Sequence, residues 1–140
     1  MDIIGIQTQL ATILTGVGGV AQTFAQQPSV MNKTPSLVVG QPHGKTATGS
    51  PQVTAVTVPV RVYVARIADE ARAAAIVTPL VNAVIAALAP YNANAGYWNV
   101  VETVEWDTGK YYEVAGASYI AVDFEIGLIV IDTVGTYGAH

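Results

Sequence analysis

The chain has no cysteine and only two histidines, His43 and His140, among its 140 residues. The lack of cysteine excludes disulfide bonds and thiolate metal sites, and it is typical of proteins that mature in a reducing cytoplasm. No Ser-His-Asp or Cys-His arrangement is suggested. Asp123 and Glu125 offer a pair of carboxylates, but acid–base chemistry also needs a cleft and usually a third polar group. We therefore predict that the protein is not an enzyme and that it binds neither a metal ion nor a cofactor.

Charged residues are also scarce. They make up 11% of the chain, well under the roughly 25% of an average soluble domain, whereas hydrophobic residues make up 51%. An isolated monomer would have too few charges to cover its surface, which indicates an oligomer or a membrane protein. The apolar segment 71–89 contains Pro79 and Asn82 and is rich in alanine, so a buried helix is favoured over a membrane span. Asp2 stands where a secretory signal would carry a basic residue, and we predict no targeting signal.

The few charges are distributed unevenly along the chain. Up to residue 72 there are five basic and three acidic residues, whereas from residue 73 onward there are one basic and seven acidic residues. This asymmetry suits a head-to-tail contact between copies, and a solvated acidic sheet face is an equally good interpretation. The net charge of −4 argues against a groove that binds nucleic acid tightly.

The segment 53–66 is predicted to be the central strand. Valine occupies every second position from Val56 to Val64, which is the period of a strand with one buried face. A helix over 69–88 follows, and its apolar residues recur at spacings of three and four. The segment 118–131 alternates in the same way as the first strand. We predict an α+β fold in which this helix packs on one face of a mixed or antiparallel sheet.

The remaining segments complete a single predicted domain over 1–140, with an N-terminal helix and connector in 1–35 and the sheet and central helix in 36–140. The individual expectations are a short helix over 3–14, a polar connector over 22–34, a strand over 36–40, an exposed loop over 40–52, a hairpin of 98–106 and 111–114 with its turn at 107–110, a bulge or bend at Gly116, and a polar tail from residue 133.

Two glycine-rich stretches resemble nucleotide-binding motifs. The segment 16–21 has the letters of a dinucleotide fingerprint, but no strand precedes it and no acid occurs between Asp2 and Asp69 to hold a ribose. The segment 40–46 ends in Gly-Lys-Thr like a phosphate loop, but it is one residue short, and Pro51 soon breaks the chain where a helix should begin. A small nucleotide-binding protein that uses the loop 40–46 stays the less favoured alternative.

The order of these elements, particularly 59–64 before the central helix and 119–131 as the closing strand, resembles the tail terminator proteins of long-tailed bacteriophages. The resemblance implies a hexameric ring that caps the head-proximal end of the tail tube, ends tube polymerisation and joins the tail to the neck. The implied partners are other copies of the chain, the tail tube protein and a neck or connector protein, with DNA only as cargo in the lumen and no membrane. The implied location is the virion, and the host cytoplasm during assembly. Another phage neck or head-completion protein is the alternative.

Two sets of residues are the candidate sites for such an assembly. Basic and aromatic side chains are the candidate contacts between subunits: Arg61, Arg66, Trp98, Trp106, Lys110, Tyr111 and Tyr112. Asp123 and Glu125 are the candidate residues that face the channel, where DNA would slide because it is repelled.

Overall fold

A six-stranded mixed sheet carries two helices on one face. The computed structural model describes residues 1–31, 33–91 and 96–132. Its elements are α1 (Ile3–Leu14), β1 (Gln22–Phe24), β2 (Ser36–Val39), β3 (His43–Ala47), β4 (Gln52–Arg66), α2 (Glu70–Leu88), β5 (Val100–Val114) and β6 (Ala117–Asp132). The strands run in the order β1-β2-β4-β6-β5, and β3 pairs with β4. The predicted α+β fold, with a mixed sheet, a central helix and a short N-terminal helix, is confirmed.

The alternating valines of β4 form the centre of the core. From Val56 to Val64 they are at most 3% exposed, and Phe124 and Ile126 of the antiparallel partner β6 are at most 1% exposed. Side chains from α1 and α2 belong to the same cluster, among them Leu10, Leu14, Leu80 and Val84. Burial of one such side chain contributes about 1.5–3 kcal/mol, so this packing is the main source of stability. We call this side of the sheet the helix face and the opposite side the open face.

One end of the open face carries a second, smaller cluster. Tyr63 lies on the open face by the alternation of β4, whereas a register shift between Tyr63 and Ala65 brings Ala65 to the helix face. Tyr63 packs edge to face on Tyr119 at 5.8 Å between ring centres, and Met31 from the connector belongs to the same cluster. The connector therefore covers this end of the open face, which the sequence pattern did not predict.

Pro59 fits into a central strand because of a break in the neighbouring strand. In an antiparallel ladder the N–H and C=O groups of one residue point to the same side, and the Pro59 carbonyl accepts a hydrogen bond from the Gly40 amide at 2.7 Å. The missing N–H of Pro59 therefore also points to the joint between β2 and β3. Gln7 of α1 stabilises the segment between β2 and β3, since its Nε2 donates a hydrogen bond to the Gly40 carbonyl at 2.8 Å.

The predicted hairpin turn at 107–110 is wrong. β5 continues through these residues, and a bulge lies between Asp107 and Lys110. The turn to β6 is instead formed by Ala115 and Gly116, whose φ angles of 51° and 80° match a two-residue turn of type I′. Gly109 explains why a turn was predicted here. Its φ of 75° fits a bulge as well as a turn.

Two segments predicted to be irregular contain strands. The loop over 40–52 holds β3, which pairs antiparallel with the first residues of β4, and the connector over 22–34 holds β1, which pairs parallel with β2. Both strands are short and polar, so neither has the alternation by which a strand is recognised. The predicted polar tail from residue 133, and residues 92–95, lie outside the described residues.

The central helix α2 runs from Glu70 to Leu88 with Pro79 inside it. With its flanking turns the segment Ile67–Tyr91 is long and apolar enough to cross a membrane by length and composition, and 28% of its most apolar part is buried in the chain. The buried residues include Leu80 and Leu88, which pack on the valines of β4. Removing α2 would expose those valines, so this packing supports the prediction of a core helix.

Candidate assembly surface

A charged cluster lies in the middle of the open face. Arg61 of β4 and Asp123 of β6 occupy paired positions, and Arg61 Nε donates to Asp123 Oδ1 at 2.8 Å. The Tyr112 hydroxyl from β5 donates to the other oxygen of the same carboxylate. The Arg61 guanidinium carbon stands 3.4 Å from the centre of the Tyr112 ring, which adds a cation–π contact. The fold thus joins two of the predicted subunit contacts to one of the predicted channel residues.

The cluster satisfies its own charges. Partial burial lowers the pKa of Arg61, but hydrogen bonds to Asp123 and Tyr63 and the charge of Asp123 outweigh that effect, so the pKa is raised overall. Partial burial and the hydrogen bond to Asp123 raise the pKa of Tyr112 above its ordinary value of 10.0, against the opposing effect of the Arg61 cation. The cluster therefore acts first within the subunit, as a cross-link between three strands.

We expect Asp123→Asn to lower the free energy of unfolding by about 1–2 kcal/mol, because Arg61 and Tyr112 lose a charged partner that is only partly exposed. The pKa of Tyr112 should fall towards 10.0, since its carboxylate acceptor is lost while the Arg61 cation remains. Because the pKa of Tyr112 is higher in the folded than in the unfolded state, this group stabilises the fold below about pH 10. That contribution is lost as the pH rises through the folded-state pKa. The variant should therefore lose less stability than the wild type between neutral and strongly alkaline pH.

Denaturant unfolding at several pH values and a spectroscopic titration of the tyrosines measure both effects. Glu125→Gln is the matched control, because Glu125 is the next carboxylate on the same face of β6 and is exposed. It should change the free energy of unfolding by less than about 0.5 kcal/mol. Equal losses in the two variants would contradict the role of the cluster.

Beside the cluster the open face is acidic. Glu105 of β5 lies directly opposite Glu125 of β6, and Asp107 lies opposite Asp123. Like charges at opposite positions destabilise a pair of strands. Among the described residues no group of three or more His, Cys, Asp or Glu side chains is placed to hold a metal ion. Of the two predicted channel residues, Glu125 is exposed and Asp123 is partly covered by Arg61 and Tyr112.

Two large aromatic side chains lie exposed on the edge strand β5. Trp106 is 53% exposed and Tyr111 is 54% exposed, although both lie on the helix face. Their neighbours on β6, Phe124 and Ile120, are only 1% and 7% exposed. Val101 and Val104 of β5 still pack against the core, so the cover of the helices ends along β5 and leaves an aromatic strip of Trp106 and Tyr111 on the surface. Trp106 and Tyr111 are available for contact with another molecule, as a subunit contact requires.

Trp98 was also predicted to contact another subunit, and this prediction is wrong. The side chain is 1% exposed, it belongs to the main core cluster, and its Nε1 donates to the Tyr91 carbonyl at 2.9 Å. A buried indole whose N–H is satisfied has no free surface for a partner. Arg66 is exposed at the end of β4, and Lys110 is partly exposed and pairs with Asp107 at 3.1 Å. A role of these two residues in subunit contacts stays a prediction.

Sequence reasoning missed two exposed apolar residues at one end of the open face. Val100 is 39% exposed and Ile131 is 42% exposed, and both lie in rows that lead across the sheet to β3. The alternation of the final strand could have found Ile131, because it has the opposite parity to the buried residues of β6. Val100 carries no such signal, because a register shift in β5 follows it closely.

The main groove of the open face includes Arg61 and Asp123 of the charged cluster. It has a volume of about 570 Å³ and lies over β2, β4 and β6, and its lining includes glutamine side chains, Pro59, the paired Arg61 and Glu125. No Ser, Thr, His, Lys or Tyr side chain is among the described residues that line it. The nucleotide-binding alternative also lacks its geometry, because Lys45 lies in the extended strand β3 and not at the beginning of a helix.

Comparison with known proteins adds a distant structural similarity. No model of a protein family and no curated protein matches the sequence. Among solved structures, a chain described as "Virion of native gene transfer agent (GTA) particle" is similar, with 16% sequence identity and a TM-score of 0.39. The similarity covers 91% of this chain and 92% of that chain.

Proposed function

We propose that this chain is a self-assembling structural subunit of a phage-like virion, and specifically the tail terminator that its sequence resembles. The observation that carries the proposal is the exposed aromatic strip of Trp106 and Tyr111 on the uncovered edge strand β5. Aromatic residues are enriched at the centre of protein interfaces, where they contribute much of the binding energy. Their half-exposed state in a single copy is what an interface that forms on assembly requires.

A ring is the assembly that fits the charge distribution. With 11% charged residues the chain has little charge to keep separate copies apart. Lys45 lies on β3 at one side of the sheet, whereas Glu105 and Glu125 lie on β5 and β6 at the other side. A head-to-tail contact between unlike surfaces forms a closed ring when the rotation between copies closes. Six copies is the number that the resemblance to tail terminators implies.

The open face is the proposed lining of the lumen. Glu105 and Glu125 lie side by side and exposed there, and a repulsive surface of this kind suits DNA that passes as cargo without binding. In this arrangement α1 and α2 lie on the opposite side of the sheet, away from the lumen. The tail tube protein and a neck or connector protein are the proposed axial partners, in the virion and in the host cytoplasm during assembly. Another neck or head-completion protein would use the same surfaces.

For the nucleotide-binding alternative we expect a negative result. The wild type should show no saturable binding of a fluorescent ATP analogue with magnesium, and Lys45→Ala should give the same trace. The reason is that an extended exposed strand does not gather successive backbone amides around a phosphate. Saturable binding that Lys45→Ala removes would contradict the proposal and favour a nucleotide-binding protein.

Imaging tests the proposed function directly. Negative-stain micrographs of the purified protein, and of particles labelled through a tag on this chain, should show a closed ring at the junction between head and tail, with six-fold symmetry. Label elsewhere on the particle would favour another virion component. A chain that is monomeric in solution and absent from particles would overturn the proposal.

A further inference from the structure

We propose that β3 of one copy pairs with the first part of β5, residues 100–103, of the next copy, so that the sheets of neighbouring subunits become continuous. This inference rests on the proposed self-assembly and names the two surfaces that meet. Each surface is an uncovered edge of the same sheet. The proposed occupant of each edge is a second copy of this chain.

Both edges are free among the described residues. β3 pairs only with β4, and β5 pairs only with β6, whereas β1 covers the edge of β2. All five residues of β3 are exposed. A free edge presents a row of backbone N–H and C=O groups to which another strand adds readily. The two free edges lie on opposite sides of one sheet, as a head-to-tail contact requires.

The register of the sheet places the two edges at the same level. One row of paired residues leads from His43 through Thr57 and Gly127 to Thr103. A second row leads from Lys45 through Ala55 and Ile129 to Val100. Copies that stand side by side in the same orientation thus bring β3 next to residues 100–103 without a shift along the strands.

The strand directions agree with this placement. β3 is antiparallel to β4, β4 to β6 and β6 to β5, so β3 and β5 run in opposite directions. In a neighbour of the same orientation, β3 therefore meets β5 as an antiparallel partner, which is the favoured geometry of two adjacent strands.

Side chains along the two edges are complementary. Lys45 is exposed on β3, whereas residues 100–103 carry the exposed Glu102 and no basic residue. The remaining side chains of β3 include Gly44 and Ala47, which are small enough to let another strand approach. β5 has a bulge between Val101 and Thr103, and His43 and Lys45 lie level with the residues on either side of it, Thr103 and Val100.

Charge reversal tests this contact. We expect Lys45→Glu and Glu102→Lys each to weaken self-association at least about tenfold, because each brings like charges together between copies. The double variant should return to within about threefold of the wild type, because it restores the attraction with reversed signs. Lys33→Glu is the matched control, since Lys33 is exposed outside both edges and undergoes the same change of charge. Sedimentation velocity over a range of concentrations measures each effect.

Cross-linking tests the register. Because the chain has no natural cysteine, only the introduced cysteines react. A mixture of His43→Cys and Thr103→Cys proteins should give a covalent dimer with a short bismaleimide. The His43→Cys protein alone should give no dimer, because residue 43 of one copy lies next to residue 103, and not residue 43, of the next copy. A mixture of Ala75→Cys and Thr103→Cys serves as the control, because Ala75 is exposed on α2. The reaction is followed up to about 1 mM protein, where even a weak contact is populated.

The outcomes separate this inference from the proposed function. A ring that forms without the His43 to Thr103 cross-link, or that both charge reversals leave intact, overturns edge pairing and leaves the structural role standing. A protein that shows neither oligomer nor cross-link at the highest concentration also overturns edge pairing. Absence of the chain from particles would overturn the proposed function as well.

Discussion

Val60→Asp is expected to abolish soluble folding. Val60 is 1% exposed at the centre of the helix face, next to Phe124 on β6 and under the helices. An unpaired carboxylate in such a core costs several kcal/mol, and the substitution also removes the packing of a buried valine. The total free energy of unfolding of a domain is only about 5–15 kcal/mol, so one such change is enough to remove most of it. The soluble fraction after expression and the circular dichroism of that fraction measure the effect.

Ala55→Asp is the matched control for this variant. It places the same charge on the same strand, but Ala55 is exposed on the open face. We expect soluble protein with the spectrum of the wild type and a loss of no more than about 1 kcal/mol, which reflects the low strand propensity of aspartate. A soluble Val60→Asp protein with a native spectrum would show that the valine face of β4 is not the core.

The double variant Trp106→Ser with Tyr111→Ser is expected to abolish self-association while the subunit stays folded. Truncation of an aromatic residue at the centre of an interface commonly costs 2 kcal/mol or more, which corresponds to roughly a thirtyfold weaker contact. In the single copy both side chains are about half exposed, so their loss should lower the free energy of unfolding by less than about 1 kcal/mol each. Sedimentation velocity measures the assembly, and thermal unfolding measures the fold.

Ile85→Ser controls for the loss of any exposed apolar side chain. Ile85 is 43% exposed on α2, on the other side of the subunit from the proposed lumen. We expect it to leave assembly unchanged. If Ile85→Ser prevented assembly and the aromatic double variant did not, the contact between copies would run through α2 and not through β5.

The parts of the fold that sequence predicted correctly are those where one strong physical pattern acts alone. The alternation of β4 and β6 identified both strands. A sheet that is buried on one face places every second residue in the core, as it does from Val56 to Val64. Spacings of three and four identified α1 and α2 for the same reason. β3 and β1 were missed because they are short and polar, and pairing with a neighbouring strand is the only cause of their extended shape.

The turn between β5 and β6 shows where local signals compete. Asp-Thr-Gly at 107–109 has the letters of a turn, and Ala115-Gly116 does not, since Ala115 takes a positive φ that alanine seldom adopts. The choice between the two is made by the register with β6, which a single sequence does not reveal. The consequence is one continuous edge strand in place of a small hairpin.

The candidate site was predicted in part for a similar reason. An aromatic side chain in or just before β5 is equally compatible with core and with surface, and only the extent of cover separates Trp98, at 1% exposed, from Trp106, at 53% exposed. The Arg61, Tyr112 and Asp123 cluster joins residues that are up to 62 positions apart in the chain, so spacing carried no sign of it. The charges of Arg61 and Asp123 can be read from the sequence, but the ion pair between them depends on how β4 and β6 pair.

The mass of the assembled protein tests the central claim most directly. Native mass spectrometry or sedimentation equilibrium of the purified chain, repeated in the presence of tail tubes, should find one discrete closed species of about 88 kDa, six times the subunit mass of 14.6 kDa. A strictly monomeric chain that also fails to join tail tubes, or an open-ended series of masses that grows with concentration, would contradict the closed ring.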